Sequence, residues 1–235
     1  MAYRVSISGI DGCGKTTSLN QVVDHYAKEV TVAILGRPMY IQRGSEKSYI
    51  AKGLNDISDK THMFFDKLNF RLGIGVLHVS YEVVQELILS QLLTNRYNPS
   101  LILIDRDPIL DSAVYSTYYL PLTKHISSEL RLKLAKYVLH KDYPNLLLFM
   151  TLPIETALGR IDKKLIEQQY DGNSKGKKIK HLHENAEDLI EISKYFEECL
   201  SILIGKGVNI KAIGAQQEQE VVVNELIRNI DDVIK

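Results

Sequence analysis

YRVSISGIDGCGKTTSLNQVV, residues 3–23, runs three patterns together. Arg4–Ser8 is strand-like, GIDGCGKTT (9–17) is a glycine-rich turn, and the residues after it have helical spacing. The turn satisfies G-x-x-x-x-G-K-[ST] at Gly9, Gly14, Lys15 and Thr16. It falls between a strand and a helix, where its mechanism requires it. Glycines let backbone N–H groups converge on phosphate oxygens, and the helix N-terminus adds its positive dipole end. Gly9, Gly12, Cys13, Gly14, Lys15, Thr16 and Thr17 are therefore expected to cradle the phosphates of ATP. Lys15 would reach the β- and γ-phosphates, and Thr16 would offer its hydroxyl to Mg²⁺. Cys13, beside Lys15, is either a small residue the turn needs or a thiol that modification would inactivate.

Further along the chain, the apolar runs at Thr31–Leu35, Leu101–Ile104, Leu146–Thr151 and Asn209–Ile213 repeat the strand signal. Each is apolar nearly throughout, as in strands covered on both faces, and helical patterns separate them. Leu189, Ile192, Phe196, Leu200 and Leu203 mark one amphipathic helix, and Val222, Leu226, Ile230 and Val233 mark another. This alternation predicts an α/β fold with a parallel sheet and helices on both sides. Gly36–Lys60 lacks a period and reads as a loop region, while Tyr170–Lys180 is polar and lysine-rich.

Composition narrows the function classes. Lysines plus arginines equal aspartates plus glutamates at 29 each, so no global field favours nucleic acid or anionic lipid. LILI (101–104) and LLLFM (146–150) are too short to span a bilayer. A strand-like run near the first residue leaves no room for a signal peptide, and the two cysteines make no disulfide framework. A single domain over residues 1–235, soluble and cytoplasmic, is expected.

Leu101–Ile104 ends in Asp105-Arg106, at the carboxyl end of a strand, where open α/β sheets bind ligands. The aspartate can hold a metal's water shell or orient an attacking group, and the arginine can clamp phosphate. Together these segments resemble the thymidylate kinases, within the nucleoside monophosphate kinase-like P-loop proteins. GIDGCGKTT is similar to that family's G-I-D-G-x-G-K-T-T, Arg37-Pro38 to the start of R-E-P-G-G, and IDRD (104–107) with DSAVY (111–115) to D-R-Y…S-x-x-A-Y-Q. TLPIETALGRI (151–161) resembles the strand exit and helix before the family's lid, and VNIKAIGAQQ its last strand and adenine-side loop.

The resemblance implies a P-loop NTPase fold with a five-stranded parallel sheet in the order 2-3-1-4-5. It implies ATP and Mg²⁺, a nucleoside monophosphate acceptor with thymidylate leading, and a homodimer through residues 62–95. Asp11 would contact the acceptor sugar, Arg37 and Arg106 its phosphate, and Tyr115 would line the same pocket. Arg160, Ala215 and Gln216 would border the donor nucleotide, Thr16 and Asp105 would hold the metal, and residues 160–182 would form a lid.

The base reader departs from the family. Its phenylalanine with an arginine four residues on is absent at Phe64, Phe65, Phe70, Phe149 and Phe196, leaving Phe65, Phe70 and Arg71 as substitutes. A deoxynucleoside or small-metabolite acceptor, or a nucleotide-binding regulator with little turnover, therefore stands as the alternative. Lys175, Lys177, Lys178 and Lys180 are either a solvated surface run or part of the lid.

Overall fold

Strand β1 (Tyr3–Gly9) carries the glycine-rich turn out of the middle of the sheet. The computed structural model describes residues 2–36, 39–49, 96–139, 142–170 and 185–234. The other strands are β2 (Val32–Leu35), β3 (Tyr40–Arg43), β4 (Glu46–Tyr49), β5 (Leu101–Asp105), β6 (Leu146–Thr151) and β7 (Ile210–Gly214). They form one sheet in the order β4-β3-β2-β5-β1-β6-β7. Neighbours from β2 through to β7 pair in parallel, with Val5 opposite Leu103 on one side and Leu146 on the other.

Among the described residues, seven strands in this order replace the five expected. The additional pair is an antiparallel hairpin inside the stretch that reads as an irregular loop. Its signal is hidden because β4, Glu-Lys-Ser-Tyr, is exposed along its whole length and shows no apolar alternation. Gly44-Ser45 forms the two-residue turn, with Gly44 at φ +58, a glycine-first chemistry suited to tight hairpins. Two side chains of β3 bind the hairpin to the helix after the turn: Gln42 Nε2 donates to Asp24 Oδ1 at 2.8 Å and Tyr40 Oη to Asn20 Oδ1 at 3.2 Å.

The central strands are buried on both faces, as their composition predicts. On β5, Leu101 and Leu103 join the main core, while Ile102 and Ile104 pack with Ala33, Leu35, Met39 and Ile41. Each fully buried leucine or isoleucine stabilises by roughly 1.5–3 kcal/mol. On β7 only Ile213 is buried, because that strand has a single described neighbour.

Among the described residues the α-helices are α1 (Lys15–Tyr26), α2 (Pro108–Tyr119), α3 (Ser128–Leu139), α4 (Ile154–Tyr170), α5 (Ala186–Gly205) and α6 (Gln219–Ile234). Asn185 caps α5, accepting from the Asp188 N–H at 3.0 Å, and the helix buries Leu189, Ile192, Phe196, Cys199 and Leu203. Cys199 takes the fully buried position expected of Leu200, which is only partly buried. Val222, Leu226 and Ile230 form the buried stripe of α6, and Tyr26 Oη ties α1 to it through Asp231 Oδ1 at 2.8 Å. Among the described residues no helix is long and apolar enough to cross a membrane. Residues 160–170 of the expected lid lie within α4, and 171–182 lie outside the described residues.

Candidate active site

The turn after β1 presses against its neighbours, and this explains its small residues. At Gly12 (φ +83) a Cβ would stand 2.5 Å from the Ala157 carbonyl oxygen of α4. Cys13 is buried, with Sγ 3.7 Å from Lys15 Nζ, so a reagent reaches the thiol only if the turn opens. Lys15 is 6 % exposed, and its ammonium donates to the carbonyls of Gly9 and Ile10 at 2.8 Å each.

Thr16 and Asp105 converge from two elements. The Thr16 hydroxyl donates to Asp105 Oδ2 at 3.4 Å, across the carboxyl ends of β1 and β5. Gly36, at the end of β2, permits this: a Cβ there would lie 2.8 Å from the Asp105 Cβ. Among the described residues no cluster of three or more metal-ligating side chains forms. One hydroxyl and one carboxylate beside a phosphate turn fit Mg²⁺, which keeps most of its waters and binds through few protein groups.

Arg106 organises the other side. Its backbone sits at φ +73, uncommon for a residue with a Cβ, and its N–H donates to Ile7 O at 3.0 Å. The guanidinium binds Asp11 through Nη2, donates to Tyr115 Oη at 3.0 Å through Nη1, and lies 3.6 Å from Asp111 Oδ1. Burial works against this cation, but Asp11, Tyr115 and Asp111 outweigh it and raise its pKa above the ordinary arginine value. Asp111 is buried, which pushes its carboxyl up to about 7 against the pull of Arg106, Ser8 and Lys15. Three of the expected acceptor residues, Asp11, Arg106 and Tyr115, thus meet in one cluster.

The residues expected on the donor side lie on α4 and at the exit of β7. Arg160 Nη2 donates to the Ala215 carbonyl at 2.9 Å, and Gln216 is exposed just beyond. Gln219, at the start of α6, donates to the buried Ser18 hydroxyl at 2.9 Å.

Two solved structures of deoxyadenosine kinase from M. mycoides align over nearly the whole chain. The one with products dCMP and a flexible dCDP bound gives a TM-score of 0.59 at 13% identity, covering 98% of this chain and 100% of that one. The one with bound dATP gives 0.58 at 15% identity, covering 97% and 99%. This chain shares their fold. No family model and no curated protein sequence matches the chain. The architecture is thus the α/β fold of those two structures, and neither activity nor substrate follows from architecture.

Arg37, Phe64, Phe65, Phe70, Arg71 and the lysines at 175, 177, 178 and 180 lie outside the described residues, as does the dimer region 62–95. The residues that sequence reasoning missed are Ser6, Ser8, Asp107 and Asp111. Ser6 Oγ donates to Asp107 Oδ2 at 2.9 Å, and Ser8 Oγ donates to Asp111 Oδ2 at 2.6 Å. A signal existed: two serines spaced by two share one face of the strand, and the aspartate that caps the helix stands four positions before Asp111.

Proposed function

We propose that this chain transfers the γ-phosphoryl of ATP to a nucleoside-type acceptor. One observation carries the reading. Lys15, Thr16 and Asp105 stand together at the phosphate turn, facing a cluster of Asp11, Arg106 and Tyr115 that phosphate binding alone does not require. Lys15 would neutralise the transferring group, and Thr16 with Asp105 would hold Mg²⁺ and its waters. When bound, that ion offsets charge on the phosphates. Arg160 would flank the donor nucleotide, near Ala215 and Gln216. The bond from the γ-phosphorus to ADP would break as the bond to the acceptor oxygen forms, and Asp105 would accept the hydroxyl proton directly or through water. Catalysis then rests on positioning and charge stabilisation.

A deoxynucleoside hydroxyl is the acceptor this cluster suits. Arg106 is already engaged by Asp11 and flanked by Asp111, so an incoming phosphate would compete with two carboxylates. A sugar hydroxyl would find in them hydrogen-bond acceptors. The bound dATP, dCMP and dCDP of the structural neighbours agree in ligand class. Thymidylate is the second reading, favoured by the motif resemblance at Asp11, Arg37 and Asp105-Arg106.

A coupled ADP-release assay with four deoxynucleosides, dTMP and no acceptor tests this. Release is expected with one or more deoxynucleosides. A signal from dTMP alone would transfer the conclusion to the second reading. Acceptor-independent release would leave a nucleotide-binding regulator, and none at all would leave that regulator or a small-metabolite kinase.

A further inference from the structure

We propose that Asp111, oriented by Ser8, is a positioning residue of the acceptor site that receives the Arg106 guanidinium when an acceptor hydroxyl takes Asp11. The identity of the incoming group rests on the kinase reading above; the pairing of Arg106 with two carboxylates does not.

The argument starts from an imbalance between the two aspartates. Asp11 is approached by Arg106 Nη2, by Tyr115 Oη at 3.4 Å and by Lys15 Nζ at 3.8 Å. Asp111 takes one hydrogen bond, from Ser8 to Oδ2, and its buried Oδ1 has no hydrogen-bond partner. That oxygen lies 3.6 Å from Arg106 Nη1, which a movement of under about 1 Å converts into a charge-assisted bond. A buried carboxylate oxygen without a donor is unfavourable, so closing the gap is favoured once Asp11 finds another donor.

The surroundings say which atoms can move. The Arg106 backbone is pinned by its bond to Ile7 O, so the shift belongs to its side chain. Ser8 cannot follow it, because its oxygen also accepts from the Asp107 N–H at 2.8 Å. Asp111 is therefore a fixed receiver. The charged groups that face it are Arg106 after β5, Lys15 on α1 and Asp107 on its own helix. Full contact with the guanidinium favours the ionised carboxylate, so acceptor binding near neutrality releases a proton from Asp111.

A carboxylate that only anchored α2 to β1 would do none of this, and calorimetry on the full chain separates the two. The probes are deoxyadenosine, deoxycytidine, dTMP and ATP, bound to the wild type and to Asp111→Asn. The variant is expected to bind the acceptor about tenfold more weakly and ATP within about twofold of wild type. Wild-type acceptor binding should weaken as pH falls through about 7, and that dependence should be absent in the variant. Unchanged acceptor binding, or equal losses for acceptor and ATP, would overturn the inference. If Asp111→Asn fails to fold, Ser8→Ala frees the receiver and should weaken acceptor binding about threefold, again sparing ATP; equal effects would count against the idea. If no acceptor probe binds the wild type, the kinase reading fails separately. The pairing is then read from aspartate carboxyl ¹³C signals without ligand: in Arg106→Gln the Asp111 resonance should titrate about one unit higher. Identical titration in both proteins would refute it.

Discussion

Buried Asp111 makes the stability of this chain depend on pH in a direction opposite to that of an ordinary paired carboxylate. Its folded value is pushed up to about 7, whereas an unfolded aspartate ionises near ~3.9. Between those values the folded chain keeps a proton that the unfolded chain has lost. Stability is therefore highest below the unfolded value, declines as pH rises through the interval, and is fully reduced above the folded value. Asp111→Asn removes the ionisation, so its stability relative to wild type should climb from about pH 4 to 7 and then level off. Urea unfolding across that range checks this; a constant difference would contradict it. Lys15, Thr16 and Asp105 were legible because their chemistry is written in local spacing. The Ser8–Asp111 bond was not, since its partners are 103 positions apart.

Helix α2 starts where it does because Asp107 caps it, accepting from the N–H groups of Ile109 and Leu110 at 3.0 and 2.8 Å, with Pro108 at the first position. The same carboxylate receives the Ser6 hydroxyl, so the cap also joins α2 to β1. Asp107→Ala leaves those donors unsatisfied in a buried setting. It should destabilise the protein by roughly 2–4 kcal/mol, seen as a lower urea midpoint with an unchanged slope. The amphipathic helices and central strands were readable from periodicity, which reports burial. Strand β4 was not, because pairing with β3 defines it and its side chains all face water.

Across the molecule, ligand and fold stability are linked at the phosphate turn, which joins β1, α1 and, through Gly12, α4. ATP with Mg²⁺ at one hundred times its dissociation constant should stabilise the wild type by about 2.7 kcal/mol. For a chain of this size that is roughly 5–10 °C in melting temperature. Lys15→Met should keep the ligand-free melting temperature within a few degrees and lose most of the shift, as differential scanning calorimetry would show. A full shift in that variant would remove Lys15 from the nucleotide site.

The chain alone specifies the glycine-rich turn, the parallel α/β plan and the carboxylate that ends β5, because each depends on neighbours in sequence or on a simple repeat of burial. The seven-strand order, the sharing of Arg106 between Asp11 and Asp111, and the closeness of Gly36 to Asp105 arise only on folding. They depend on which distant segments the sheet sets side by side. GIDGCGKTT predicts a phosphate ligand because the signal is local: the backbone amides of one turn would bind it. The acceptor proposed for it depends on side chains gathered from the turn after β1, the exit of β5 and α2.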